Sequence, residues 1–163
     1  GDSYLGLKAL SNKVKFKNKD KLFFVDKYYK PELPLNLTKY LLKFANSSID
    51  VSDGLIDDLA KMINRQSLSF HLFENKIPVS NKLSNLIKKQ RLNKINLISN
   101  GDDYQVLFTA DIKKARIIQK ASKTTGIKIT KIGKIVSGKD RSLIFDEKGK
   151  QIRAKSKGYI HRF

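Results

Sequence analysis

The chain has no cysteine and no tryptophan, one methionine and three prolines in 163 residues. Without cysteine it can build no disulfide scaffold, zinc–thiolate site or iron–sulfur cluster, and it has no cysteine nucleophile. No apolar run approaches the ~20 residues that a membrane-crossing helix needs. The first ten residues lack the basic-then-apolar pattern of a secretory leader. They also lack an initiating Met, so the expectation is that Gly1 is a processed or cut end. Acidic residues are scarce: 15 Asp+Glu stand against 34 Lys+Arg, for a net charge of +19. A hydrophobic share of 40% is enough for one core and excludes a wholly disordered chain. The length suits one domain of ordinary size.

The excess of positive charge invites a nucleic-acid reading. Its make-up argues against one. There are 28 Lys and only 6 Arg, whereas phosphate and base recognition favours the planar fork of Arg. The lysines are scattered through every segment, among many Asn and Ile. Only Lys13 to Lys21 (KVKFKNKDK) forms a run, with one aromatic, Phe16. It reads as a solvated connector. The positive field can still attract anionic substrates in a salt-sensitive way.

The hydrophobic pattern places a helix in the first dozen residues and a loop over Asn12 to Asp20. A short apolar run, Leu22 to Val25, follows, and Pro31 and Pro34 forbid a regular element just after it. A helix is expected over Asn36 to Asn46 with Asn36 as N-cap, then a short strand over Ser48 to Val51. The clearest helix spans Ser52 to about Arg65, with Leu55, Leu59, Met62 and Ile63 on one face and Ser52 as N-cap. Phe70 to Phe73 reads as a strand. Ser80 or Asn81 caps a helix carrying Leu83, Leu86 and Ile87. Tyr104 to Thr109 is strand-like. Asp111 to Ser122 reads as a helix with Ile112, Ala115, Ile118 and Gln119 on one side. Ile127 to Val136 reads as a strand with Gly133 as a bulge or kink. Ser142 to Phe145 and Gln151-Ile152 flank a turn at Glu147-Lys148-Gly149, a hairpin pattern. Strands and helices mix without strict βαβ alternation, which gives an α+β fold.

Two stretches bear chemistry. The first is Ile49-Asp50-Val51-Ser52-Asp53-Gly54-Leu55, followed by Asp57 and Asp58. A strand carries Asp50 to a loop that turns through Ser52 and Asp53 into a helix. A helix start presents unpaired N–H groups and partial positive charge, which suit phosphate oxygens. Asp50 and Asp53 are hard oxygen donors suited to Mg²⁺. The plainer reading is that Ser52 is an N-cap and that Asp53 and Asp57 simply favour the helix dipole. The second stretch is Ser99-Asn100-Gly101-Asp102-Asp103-Tyr104-Gln105, before Val106-Leu107-Phe108-Thr109. A Gly turn sets two carboxylates at a strand end, a place where loops hold ligands. It also reads as an ordinary polar turn. There is no Walker-type loop and no GxGxxG. His71 and His161 lie far apart without ligand spacing and read as structural.

Together these stretches resemble the C-terminal half of thiamine-monophosphate kinase, within the aminoimidazole ribonucleotide synthetase-like superfamily. Gly1-Asp2-Ser3 with Gly6-Leu7 resembles the family's GDS-x-x-GL segment. Tyr29-Lys30-Pro31 and Pro34 resemble its (Y/H)-x-x-P-x-P region. Ile49 to Leu55 matches IDVSDGL, with Asp58-Leu59 as the following DL. Ile77 to Ser80 resembles IPLS, and Gly101 to Thr109 resembles GEDYELLFT. Ile132-Gly133 and Lys157-Gly158-Tyr159 resemble the IG and KGY near the family's end.

The resemblance implies a single domain over residues 1–163, a mixed β-sheet covered by helices. It implies ATP-dependent phosphorylation of thiamine monophosphate to thiamine diphosphate by direct in-line transfer, with Mg²⁺ holding the phosphates of ATP. Carried over by motif, Asp50 and Asp53 are metal ligands and Ser52 contacts the nucleotide phosphates. Asp102 stands where the family has a substrate-contacting Glu, and Tyr159 where it has a substrate-contacting aromatic ring. A thiazolium cation suits a carboxylate and a π face. Gln105 replaces a second family Glu.

The resemblance further implies a cytoplasmic enzyme with no specific nucleic-acid partner and no membrane. It would dimerise through an N-terminal domain that is missing here and carries most of the metal-binding aspartates. The isolated chain is therefore expected to turn over little or nothing and to expose an apolar face. Rival readings are a non-catalytic nucleotide- or phosphate-binding module of the same fold, a basic nucleic-acid-binding domain, and a kinase for another small phosphorylated amine or alcohol.

Overall fold

The computed structural model describes residues 1–14, 16–64 and 66–155. Tyr159, His161 and the Lys157-Gly158-Tyr159 motif lie outside the described residues.

The chain opens with α1 (Asp2–Leu10) and α2 (Asn18–Tyr29), which pack closely on each other. The run at Leu22 to Val25 lies inside α2. Phe24 is fully buried while Leu22 is 70% exposed, so the run wraps around a helix with one residue inward. The expected loop from Asn12 is cut short because α2 begins at Asn18. Leu5 and Phe24 join Leu83, Leu86 and Leu97 from later helices in one apolar core. The Pro31–Pro34 segment carries no regular element, and α3 (Leu35–Phe44) follows it. Asn36 is not its cap. The helix starts at Leu35 with Pro34 in the N-cap position and no side-chain cap. Proline's fixed φ suits a helix entry and needs no N–H there.

Strand β1 (Ala45–Asp50) runs directly out of α3, with alternate residues turned inward. A loop then leads to α4 (Leu55–Met62), whose N-cap is Gly54 rather than Ser52. The helix is shorter at both ends than its apolar spacing predicts, but it buries the expected face through Leu55, Leu59 and Ile63. After β2 (Leu68–Phe73) and a single 3₁₀ turn, α5 (Asn81–Gln90) is capped by Ser80, whose Oγ accepts from Leu83 N at 3.1 Å. The five-residue α6 (Lys94–Ile98) leaves no signal in the sequence pattern, because one turn and a half is too short to display a period.

β3 (Val106–Ala110) is followed by a 3₁₀ turn capped by Asp111 and by α7 (Ala115–Thr125). Ile112 is 68% exposed, so the expected inner face is wrong there. Ala115 and Gln119 are exposed as well, whereas Ile118 packs inward as expected and, with Ala121, meets Leu37 and Phe44 of α3 in a second core. The expected strand Ile127 to Val136 contracts to β4 (Gly133–Ser137). Its first residues leave the ladder because Ile127 and Ile129 pack on the α3–α7 core. Gly133 is no bulge. It pairs in register with Leu72. The hairpin of β5 (Leu143–Phe145) and β6 (Gln151–Ile152) forms as expected, with Gly149 at φ 77°.

β1 and β3 pair antiparallel as a separate ribbon, and the second sheet has the order β4-β2-β5-β6. In it β2 and β5 are parallel and the other pairs antiparallel. The fold is α+β with a mixed sheet covered by helices. The main core lies between α4, β2 and β5, and takes in Leu107 of the ribbon.

Candidate functional site

The antiparallel ribbon decides the site. Asp50 at the end of β1 pairs with Val106 at the start of β3. The loop leaving β1 therefore lies against the loop entering β3, and the two stretches singled out in the sequence become neighbours. Their main chains are joined by three hydrogen bonds of 2.9 Å each: Val51 N to Gln105 O, Tyr104 N to Val51 O, and Asp102 N to Ser52 O. Gly54 and Gly101 sit where the backbones touch. A Cβ on Gly54 (φ 129°) would lie 2.7 Å from the Ser99 carbonyl carbon. Asp102 and Tyr104 adopt left-handed conformations, with φ of 69° and 49°. Each costs ~1–2 kcal/mol in a residue with a Cβ. Such strain persists only where surrounding bonds over-determine it, as the cross-loop bonds do here.

Beneath the first loop lies Asp58, 1% exposed. Its Oδ2 accepts from the backbone N–H groups of Ser52, Asp53 and Gly54, each at 3.0 Å. The spacing places Asp58 on the first turn of α4, below the groups it binds. Lys61, one turn further on, bridges Asp53, Asp57 (2.8 Å) and the other oxygen of Asp58 (3.5 Å). The hydrogen bonds that Lys61 donates to Asp53 and then to Asp57 raise its pKa, so its ammonium is a permanent positive charge among these acids.

The second loop adds acid. Burial raises the Asp102 pKa from its ordinary value, and the nearby charges of Asp103 and Asp53 raise it further. This coupling brings Asp53 and Asp102, one from each stretch, into one electrostatic neighbourhood. Asp103 accepts from the α-amino group of Gly1 and from Ser3 N at 3.3 Å. Asp2 is raised by burial, partly offset by a hydrogen bond from Ser80 Oγ at 2.9 Å.

The expected site residues are thus partly assembled. Ser52, Asp53 and Asp102 lie together, half-buried. Asp50 is exposed on the outer face of β1, with no side-chain partner among the described residues. Asp53, Asp57 and Asp58 each offer a carboxylate oxygen within 4.8 Å of the others, and Asp50 is not in that group. Hard carboxylate oxygens are the donors Mg²⁺ takes, and it needs only one or two of them. Asp53 carries such oxygens within this group, and Asp50 carries them apart from it. Asp58 Oδ2 does not fit that role, since three N–H groups already occupy it.

Sequence reasoning missed the clamp at Asp58 and the bridge at Lys61. The spacing of an acid four residues after the loop glycine was their available signal. It also missed the task of Gln105, whose Nε2 donates to Glu32 O at 3.0 Å and to Asp103 O at 3.3 Å. A cleft of about 940 Å³ adjoins the loops, lined by Leu55, Phe70, Leu107 and Ile135 and by Asp103 and Gln105.

No protein-family model matches the chain. Among curated proteins, it is 32% identical over 163 residues to the thiamine-monophosphate kinase of Buchnera aphidicola subsp. Schizaphis graminum, covering 99% of this chain and 50% of that protein. It is 28% identical over 162 residues to the Escherichia coli K12 thiamine-monophosphate kinase, covering 99% and 49%. Among solved structures, AaThiL complexed with AMPPCP and TMP matches with a TM-score of 0.71 and 26% identity, over 98% of this chain and 48% of that one. The E. coli hydrogenase maturation protein HypE shares the fold alone, with a TM-score of 0.69 at 12% identity over 99% of this chain and 48% of that one. The chain spans about half the length of these relatives, and 36% of the thiamine-monophosphate kinase of Aquifex aeolicus.

Proposed function

The chain is homologous to thiamine-monophosphate kinases over 99% of its length, and from this we propose that it forms the C-terminal half of such a kinase. In that reading the whole protein transfers the γ-phosphoryl group of ATP to thiamine monophosphate, giving thiamine diphosphate and ADP. The structural observation that supports the reading is the joining of loops 50–54 and 101–105 by main-chain hydrogen bonds. Phosphoryl transfer asks a protein for alignment and charge compensation more than for a nucleophile, and these loops offer fixed carboxylates on a rigid ribbon.

Asp53 and Asp50 would hold Mg²⁺. When bound, the ion supplies charge neutralisation at the phosphate oxygens. Ser52 would meet the nucleotide phosphates through its hydroxyl, since its N–H already serves Asp58. Asp102 would face the cationic thiazolium, and Tyr159 its π face. Gln105 lies in the place of a family Glu but holds the Glu32 carbonyl, so it acts on the Pro31–Pro34 loop rather than on substrate. The remaining metal ligands and the dimer contact would come from an N-terminal domain, and the enzyme would work in the cytoplasm.

The test is kinetic. The chain alone is expected to show negligible kinase activity. In the full-length protein, Asp53→Asn is expected to lower turnover well over tenfold, since a lost metal ligand costs several kcal/mol of transition-state stabilisation. Ordinary turnover by the chain alone would sink the half-enzyme reading. Unchanged kinetics of the variant would remove Asp53 from the site.

A further inference from the structure

We propose that Asp58 is a positioning residue: its carboxylate, not a nucleotide phosphate, is the anion that shapes the loop at Ser52, Asp53 and Gly54. This rests on reading that loop as part of a phosphoryl-transfer site. Successive backbone N–H groups that converge on one point form an anion-binding nest. At the start of a helix such a nest commonly takes phosphate. Here the nest is filled. One oxygen, Asp58 Oδ2, stands 3.0 Å from all three nitrogens, and the residue is 1% exposed. Its own backbone N–H donates to Gly54 O at 3.0 Å, so side chain and main chain both tie the first turn of α4 to the loop. A phosphate could enter only by expelling a buried, tethered carboxylate.

Two consequences follow. The loop has its shape before any ligand arrives, which spares the ordering cost at binding. The Asp53 side chain is also aimed by this clamp, out of the nest and toward Lys61. Asp58 therefore acts through Asp53 and touches no substrate. Phosphate oxygens must be met by side chains and bound cations, not by the N–H groups of this loop.

Amide exchange on ¹⁵N-labelled full-length protein tests the filled nest directly. The Ser52, Asp53 and Gly54 amides are expected to exchange slowly without nucleotide. Adding AMPPCP with Mg²⁺ should change those rates by less than about threefold. Fast exchange without nucleotide, slowed only when AMPPCP is present, would overturn the proposal, because the phosphate would then be the anion of the nest.

Kinetics test the positioning role. Asp58→Asn keeps the side chain's size but removes its charge. It is expected to lower kcat at least about tenfold and to raise the Mg²⁺ concentration for half-maximal rate, while KM for thiamine monophosphate stays within about twofold. A folded variant with wild-type kcat and Mg²⁺ dependence would overturn it. If the variant does not fold, the exchange measurement on the unaltered protein decides. Full activity of Asp53→Asn would instead count against the phosphoryl-transfer reading, and the exchange result would still report on the clamp.

Discussion

Gly101 faces the main chain of Ser52 so closely that a Cβ atom on it would lie 2.8 Å from the Ser52 carbonyl carbon. No real Cβ approaches backbone in this way, and neither loop can yield without breaking the bonds that join them.

Gly101→Ala should therefore push the two loops apart. The expected loss is about 1–3 kcal/mol, the usual cost of overpacking a rigid site. Urea unfolding of the variant checks this. A midpoint equal to that of the parent would mean that the loops are not held as closely as described.

Asp102 gives a pH signature. Burial and its acidic neighbours raise its pKa above the ordinary value of 3.8. Between the two values the folded state holds more protons than the unfolded one, so stability falls as pH rises through that window. Above it the cost of the ionised group is fully present. Asp102→Asn removes that cost and suits the left-handed backbone at φ 69°. The variant should be more stable than the parent at pH 7, with the difference shrinking toward pH 3. A gain independent of pH, or none, would contradict this origin.

Ser80 holds two partners at once: it caps α5 through Leu83 N and donates to Asp2. Ser80→Ala should cost about 1–2 kcal/mol as a lost cap. Because the bond to Asp2 favours its ionised form, the loss should be larger at pH 7 than at pH 4. Equal losses at both pH values would assign the whole effect to the cap.

Lys94 Nζ donates to Glu74 O at 2.7 Å and to Ile77 O at 2.6 Å, while the Glu74 carboxylate accepts from Ile95 N at 3.1 Å. Lys94→Met keeps the apolar stem and leaves both carbonyls without their donor. It should cost about 1–3 kcal/mol in thermal or urea unfolding at pH 7. An unchanged midpoint would mean that water replaces the ammonium there at no cost.

Much of the helix content was legible because amphipathic spacing is local. The inner residues Leu55, Leu59 and Ile63 of α4, and Leu83 and Leu86 of α5, follow from period alone. Local rules failed where side-chain partners beyond the nearest neighbours decided the outcome. Ser52 has the chemistry of an N-cap, yet α4 starts at Leu55 after Gly54 because Asp58 collects the N–H groups that a cap would serve. The segment from Ile127 alternates like a strand, yet its first residues turn to the α3–α7 core and never reach a ladder.

Sequence pattern alone sufficed for the α+β class, for a cap at Ser80 or Asn81, for the β5–β6 hairpin, and for singling out the two candidate stretches. Those depend on side-chain type and short-range periodicity. The tertiary structure alone brings the two stretches together, because antiparallel pairing of β1 with β3 joins residues more than fifty positions apart. Only it decided which aspartates look outward and which one, Asp58, is spent inside the fold. A carboxylate's role is set by the donors and charges around it, and those come from elsewhere in the chain.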